Sequence, residues 1–442
     1  MDTRIGIVGA GISGLSAGYQ LMKAGMKPIL FEKECFVGGR MSSEIVEGFV
    51  IDKGAYTISE FHKNTIQIIK EIGLGGSLEE TSGTSATFNN GKKYEIKIGS
   101  PMDFLKYELL SIKNKKDLVN LFLYATSLRK SLNLNNPSEK TFDLEKESAA
   151  EYLLREYNRE ILELIAYPIF CEIFLGTPET NSKAAFLATI RNLTKFKIFS
   201  LDQGLGMLPE HLMKHLDVRL NSPVLNVQQE SEKGPYVVNV GGNTPGSLTF
   251  DTLIFALPLP LLLEIFKDLP VSIKERFKEI QYAPSIVTVM AIDQPYTGTS
   301  FINNLLRKDF RVLGTLVFDH HKGFKHVPPG KGLATAILRE QASQTLLETS
   351  EEFIHQEVIK EIETLFPNFS SKVIFSKVYR WKHGSIQLKP GTLYQQRLTR
   401  KTLEDHFQNL YVVGDGLYRS SIEVQLNMGA NAANQIIEKY KP

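Results

Sequence analysis

A glycine spacing near the N-terminus constrains this chain more than any other feature. Ile5 to Val8 is a short apolar run suited to a buried strand, and it ends in Gly-x-Gly-x-x-Gly at Gly9, Gly11 and Gly14. The amphipathic run Leu15 to Ala24 predicts a helix closed by Gly25, and Pro28 to Phe31 predicts a second strand followed by an acid, Glu32. Each glycine has a separate physical role. Gly9 permits a tight turn, Gly11 lets backbone approach a pyrophosphate, and Gly14 lets helix and strand pack closely. The helix N-terminus offers free N–H groups and a partial positive charge to phosphates. Glu32 stands where an acid accepts hydrogen bonds from the ribose hydroxyls of an adenosine. Ala10, Ser13 and Lys33 flank these positions and join the candidate cofactor-binding set. The unit predicts dinucleotide binding, and by itself does not separate NAD from FAD.

Further along stand Val37-Gly38-Gly39-Arg40-Met41 and Gly48-Phe49-Val50-Ile51-Asp52-Lys53-Gly54-Ala55-Tyr56. Near the C-terminus, Asn409-Leu410-Tyr411-Val412-Val413-Gly414-Asp415-Gly416 reads as a buried strand ending in Gly-Asp, and Ile422 to Gly429 opens a final helix. Together with the nucleotide motif, these runs resemble the flavin-containing amine oxidase, protoporphyrinogen oxidase and phytoene desaturase superfamily. The resemblance implies FAD as cofactor. It places Gly39, Arg40 and Met41 against the pyrophosphate and ribityl chain, with Arg40 neutralising phosphate charge. It places Gly54, Ala55 and Tyr56 near the isoalloxazine ring, and Val224 against the adenine end. Ala256 falls in the loop after the buried strand Asp251 to Pro258. Trp381 falls in an Arg-Trp segment crossing between domains, where the family's proline before Gln387 is replaced by Ile386. Asp415 falls near the ribityl portion. Val424 and Gln425 lie on the helix whose N-terminus sits beneath the N1–C2=O edge, where reduced flavin carries negative charge.

The implied fold is α/β: a two-part Rossmann-type FAD-binding domain with an inserted mixed β-sheet plus helical substrate domain. FAD-domain segments are expected at 1–83, 201–280 and 384–442, and substrate-domain segments at 84–200 and 281–383. An Asn89-Asn90-Gly91 hairpin opens the second domain, Met102 to Leu134 reads as helical, and Ser148 to Glu151 matches a capping box. Strands are predicted at Tyr282 to Asp293, Leu313 to Phe318 and Val373 to Trp381, and a helix at Ser350 to Leu365.

A chain of 442 residues has room for about two to four domains. The net charge of +2, without a long basic block, gives nucleic-acid binding no support. The two cysteines, Cys35 and Cys171, belong to no CxxC pair, which argues against a metal site or disulfide framework and fits a reducing compartment. His62, His211 and His215 read as structural or solvent-facing, and the pair His320 and His321 lacks carboxylate or cysteine spacing for a metal. No apolar run reaches the roughly 18 residues of a spanning helix, and the nucleotide fold starts too near Met1 for a cleaved targeting peptide, so a cytoplasmic protein is expected. Lys113, Lys115 and Lys116 beside Leu118 to Leu123 read as a core helix with a solvated side. The alternative is a patch for peripheral membrane contact.

The expected activity is hydride removal from a bulky, apolar small-molecule substrate onto flavin N5. Protoporphyrinogen oxidase is the nearest likeness, then polyene desaturases, then amine oxidases; a non-catalytic flavin-binding protein is the reading from another class. Many amine oxidases in the family carry a lysine near flavin N5 on a substrate-domain strand. Here Ser285 to Asp293 has none, and Val287 or Thr288 takes its place. Neither cysteine lies in the C-terminal flavin motif, so FAD is expected to be held non-covalently. The sequence assigns no catalytic residue and no oligomeric state.

Overall fold

In the computed structural model, residues 3–192, 197–231, 234–298, 300–323 and 325–440 are described. The glycine motif sits in a five-stranded parallel sheet assembled from distant sequence. Its order is Asp217–Arg219, Ile29–Phe31, Ile5–Val8, Thr252–Phe255, Leu410–Val412. Strands buried on both faces need continuous apolar runs, and Ile5–Val8 and Thr252–Phe255 are buried at every position. The first helix, Ile12–Lys23, packs against the last, Ile422–Tyr440. Their approach is close enough that a Cβ on Gly429 would lie 2.0 Å from the Ser13 carbonyl oxygen.

The second body is a seven-stranded mixed sheet in the order Val373–Ile386, Tyr282–Ile292, Gly332–Leu338, Leu313–Phe318, Ile302–Leu305, Thr84–Asn89, Lys92–Lys97. The predicted hairpin is its edge: Asn90 and Gly91 both have positive φ, as a two-residue hairpin turn requires. Tyr282–Ile292 lies next to the other edge, and its two faces pack differently. Ile286, Met290 and Ile292 join the core that also holds Ile354, Val358 and Ile362 of helix Glu351–Glu363. Val287, Val289 and Ala291 instead pack with Phe49 and Ile51 of the Ser43–Asp52 hairpin.

Several boundaries differ from the sequence expectation. The first helix starts at Ile12, three residues before Leu15, because Gly11 itself is the N-cap. Met102 to Leu134 is not one helix but two, Pro101–Lys106 and Ile112–Ser127. Tyr107, Leu109 and Leu110 turn inward between them, and Ser111 caps the second by accepting the Asn114 N–H. Strand Val373–Ile386 runs five residues beyond Trp381, straight through the predicted crossing. The region 159–174 contains two wide π turns, Leu162–Ala166 and Phe170–Phe174, on either side of Pro168, whose nitrogen has no hydrogen to donate to a regular helix.

In helix Ile112–Ser127, Leu118, Leu121 and Ala125 are buried, while Ile112, Lys116, Val119 and Leu123 form an exposed stripe at helical spacing. Among the described residues no helix is long and apolar enough to cross a membrane.

Candidate active site

The three motif glycines meet three different surroundings. Gly9 has φ +100°, and a Cβ there would lie 2.6 Å from the Ala256 carbonyl oxygen. A Cβ on Gly14 would lie 2.1 Å from the Gly9 oxygen, with the Ala256 methyl at 3.1 Å. Around Gly11 nothing stands within 4 Å, so the helix N-terminus opens there onto free space. Such a space at a helix N-terminus has the character that a pyrophosphate needs and that a side chain would block. Ser13 and Ala10 are buried behind it. Glu32 is aimed by backbone: its carboxylate accepts the N–H of Ala10 at 2.9 Å and of Glu34 at 3.0 Å. Burial raises its pKa, and those two hydrogen bonds oppose the rise. The Ser222 and Asn221 N–H groups donate to the carbonyls of Glu32 and Glu34, which brings the half-buried Val224 close to the expected adenosine end. Lys33 instead points outward and pairs with Glu34 at 3.4 Å.

Arg40 is the tie between the two bodies. Its Nη1 donates to the carbonyls of His383 at 3.0 Å and Gly384 at 2.8 Å, and to Asp415 Oδ2 at 2.5 Å. Burial is the largest influence and pulls the guanidinium down, but the charge and hydrogen bond of Asp415, with a lesser contribution from Tyr282, together make the net shift upward. Asp415 also accepts from the Ser420 hydroxyl, which in turn accepts the Ile386 N–H. Thus Arg40 is already paired, with its side chain still 31% exposed. Met41 is buried beside it. Ala55 donates its N–H to the Arg40 carbonyl, and a Cβ on Gly54 would lie 2.5 Å from that same oxygen. Trp381 Nε1–H donates to the Lys53 carbonyl at 2.8 Å, pinning this loop to the larger sheet.

At the C-terminal end, Gly414 adopts φ +117° and delivers Asp415 into the interior. Val424 and Gln425 are buried in the first turns of the last helix, and Gln425 Nε2 donates to the Arg419 carbonyl. Asp415 Oδ1 and Gln425 Oε1 are buried acceptors with no partner. These residues fit a flavin nucleotide. Gly11 leaves space at a helix N-terminus, Glu32 is aimed for ribose hydroxyls, and the two orphaned acceptors suit the hydroxyls and N–H of a ribityl-flavin.

Around Tyr56, expected near the flavin, stand two residues that escaped the sequence reading, Glu172 and Lys322. Tyr56 donates its hydroxyl to Glu172 Oε1 at 3.2 Å, across 116 residues of sequence. Both lie deep in the molecule yet keep accessible surface, as the walls of a cleft do. Burial pushes the Glu172 carboxyl up to about 7, opposed by the Tyr56 bond. Behind the Tyr56 ring, 5.2 Å from its centroid, lies the ammonium of Lys322, fully buried and paired with Asp52 at 2.8 Å and Asp319 at 2.6 Å. Asp52 is further held by the Ser43 hydroxyl and the Leu205 N–H. Lys322 sits among no pattern of neighbours that marks it in sequence; only Asp52, beside Gly54-Ala55, hinted at a site here.

The histidines are spread apart. His62 is half-buried by accessible surface but lies deep, and desolvation pushes it down to about 4. His211 bonds within its own helix to Met207, and His215 lies edge-on to Tyr19. His320 contacts the Tyr296 carbonyl and the Leu333 N–H, with His321 beside it. Among the described residues no group of three or more His, Cys, Asp or Glu could hold a metal. Cys35 is exposed; Cys171 is buried under Gly314, and burial pushes its thiol up to about 11. Of the two positions considered for the family's lysine, Val287 faces the Ser43–Asp52 hairpin and Thr288 the opposite side of the sheet.

Residues 12–437 match the family model described as flavin containing amine oxidoreductase. The chain is 22% identical to protoporphyrinogen oxidase 2, chloroplastic/mitochondrial, of Arabidopsis thaliana, over 98% of this chain and 94% of that one. It is 20% identical to coproporphyrinogen III oxidase of Bacillus subtilis (strain 168), over 98% and 97%. Its fold superposes on wild-type putrescine oxidase bound to putrescine with a TM-score of 0.79, at 18% identity and 99% coverage of both chains.

Proposed function

Because this chain belongs to the flavin-containing amine oxidoreductase family, we propose that it is an FAD-dependent enzyme removing hydride from a bulky, apolar carbon skeleton, a reduced tetrapyrrole in particular. FAD, when bound, supplies a two-electron acceptor. The chain supplies the rest. Gly11 and the N-terminus of helix Ile12–Lys23 would hold the pyrophosphate, Glu32 the ribose, and Asp415 the ribityl portion. The N-terminus of helix Ile422–Tyr440 favours negative charge placed above it. Glu172, whose Oε1 accepts the Tyr56 hydroxyl, would hold an exchangeable proton on its carboxyl, since a carboxyl raised to about 7 both accepts and releases one near neutral pH.

The observation that carries this reading is the apolar face of strand Tyr282–Ile292. Its residues Val287, Val289 and Ala291 pack on the Ser43–Asp52 hairpin and bring no basic group, and Lys322, the buried lysine behind Tyr56, is held in ion pairs with Asp52 and Asp319. An amine must reach a flavin deprotonated, and a nearby lysine favours that state. Hydride removal from carbon asks instead for placement and exclusion of water, and needs no such lysine. Similarity along nearly the whole length to two porphyrinogen oxidases supports a tetrapyrrole over a polyene.

Purified protein should be yellow and release FAD into the supernatant on acid precipitation. Under anaerobic conditions, protoporphyrinogen or coproporphyrinogen should bleach the flavin at a rate competent for turnover, and putrescine and benzylamine should not. Rapid bleaching by a simple amine overturns the substrate class. A colourless protein that takes up no added FAD overturns the cofactor.

A further inference from the structure

Two guanidinium groups that no carboxylate neutralises converge on one turn beside the last helix. Arg419 comes from the segment leading into helix Ile422–Tyr440, and its Nε donates to Asn135 Oδ1 at 3.0 Å. Arg191 comes from the C-terminal end of helix Lys183–Ile190, and its Nη1 donates to the Leu132 carbonyl at 2.6 Å. The turn that receives both is rigid. Asn133 Oδ1 accepts the N–H groups of Asn135 and Asn136, Ser138 and Thr141 donate hydroxyls to the Ser131 carbonyl, and Leu132 and Leu134 are anchored in the core.

Neither arginine forms an ion pair among the described residues. The nearest acid that acts on Arg419 is Glu423, and its oxygens are spent on the N–H groups of Asn64 and Thr65 and on the Thr65 hydroxyl. Arg419 lies deep but keeps accessible surface. Burial and the charge of Arg191 bring it down to about 10, and Arg191 is itself lowered by burial and by Arg129. His62, also deep, faces the same region with an unpartnered Nδ1. Like charges crowded in a desolvated place without a counterion favour an anion that bonds to both.

We propose that Arg419 and Arg191 form an oxyanion subsite that takes carboxylate groups of the substrate, a statement that rests on the tetrapyrrole reading above. Each guanidinium has several unspent N–H donors in a planar fork, the geometry that pairs with a carboxylate. The subsite adjoins the start of the helix expected beneath the flavin, so a substrate held there by its acid groups lays its apolar ring toward the cofactor. It selects for apolar molecules with acidic arms and against hydrocarbon polyenes and simple amines.

The test is binding to the purified flavoprotein, read by quenching of porphyrin fluorescence with protoporphyrin IX and its dimethyl ester. The wild type should bind the free acid at least about tenfold more tightly than the ester. Arg419→Gln should remove that preference, and Arg191→Gln, at a half-buried helix end, should reduce it several-fold. An unchanged flavin spectrum and thermal midpoint show that each variant is folded. Equal binding of acid and ester, or a preference that survives in both variants, overturns the subsite. If neither porphyrin binds, the tetrapyrrole reading fails, and benzoate decides the subsite through perturbation of the flavin absorption. Binding of benzoate weakened about tenfold in a folded variant sustains the subsite; insensitivity to both substitutions, or no binding by benzoate, overturns it.

Discussion

The cofactor cradle and the chamber facing it are built by opposite means. The cradle is backbone: Gly9, Gly11, Gly14, Gly54 and Gly414 matter because of side chains they do not have. The surroundings are side chains: Tyr56, Glu172 and Lys322, and in the proposed subsite Arg191 and Arg419, matter because of charge and hydrogen bonds assembled from separate segments. A phosphate needs N–H groups and space, which a few glycines at fixed offsets provide. A chamber that handles a substrate needs desolvated charge, which must be supported from several directions at once.

The largest expected effect breaks the cradle in two distinguishable ways. Gly11→Val adds a side chain where nothing lies within 4 Å, so the fold should persist while flavin binding is abolished. Gly14→Val places a Cβ 2.1 Å from the Gly9 oxygen, so helix and strand must separate, at a cost of about 3 kcal/mol or more. Flavin absorbance and chemical unfolding, measured on both variants, separate the two outcomes. A Gly11→Val protein that stays yellow would remove Gly11 from the pyrophosphate site.

How much could be read from sequence follows the same division. The order Ile5–Val8, glycine turn, helix, Glu32 was legible because each step is local. Arg40 was legible as a site residue but not in its partner: its pairing with Asp415 spans 375 residues, and no local pattern predicts it. Glu172 was hidden for a different reason. It stands in a run that reads as an ordinary helix, and only the wide turns around Pro168 fix which residues face Tyr56. The long strand was cut short at Trp381 because its polar continuation looked like a connection, whereas pairing with Tyr282–Ile292 carries it to Ile386.

A second effect, on stability without loss of the cradle, probes the buried cation behind Tyr56. Lys322 is buried between Asp52 and Asp319, and Lys322→Met leaves two buried carboxylates without their cation. Breaking a buried pair from one side costs about 3–5 kcal/mol, because the remaining charge stays desolvated. The loss should appear as a lower denaturant midpoint with an unchanged slope. Removing the stranded charges as well, with the triple change Lys322→Met, Asp52→Asn and Asp319→Asn, should recover part of it. A single Lys322→Met variant as stable as the wild type would show that the ammonium is not needed to hold this wall.

The smallest effect is a pH signature on Glu172. Its carboxyl moves from an ordinary value of 4.5 to about 7, with burial as the cause. Between those two values the folded protein holds a proton that the unfolded chain has released. The folded state therefore binds more protons there, and stability falls as pH rises. The contribution of Glu172 is full below pH 4.5 and is lost as pH passes through about 7. Glu172→Gln keeps the hydrogen bond from Tyr56 and has no proton to lose. Its stability relative to the wild type should therefore rise across this window, by about 2 kcal/mol, less than the full shift because the carboxyl keeps accessible surface. Chemical unfolding of both proteins at pH 5 and pH 8 measures the difference. A difference that stays flat with pH would mean that the carboxyl titrates as it does in water, and that Glu172 lies in solvent rather than in the wall of a desolvated chamber.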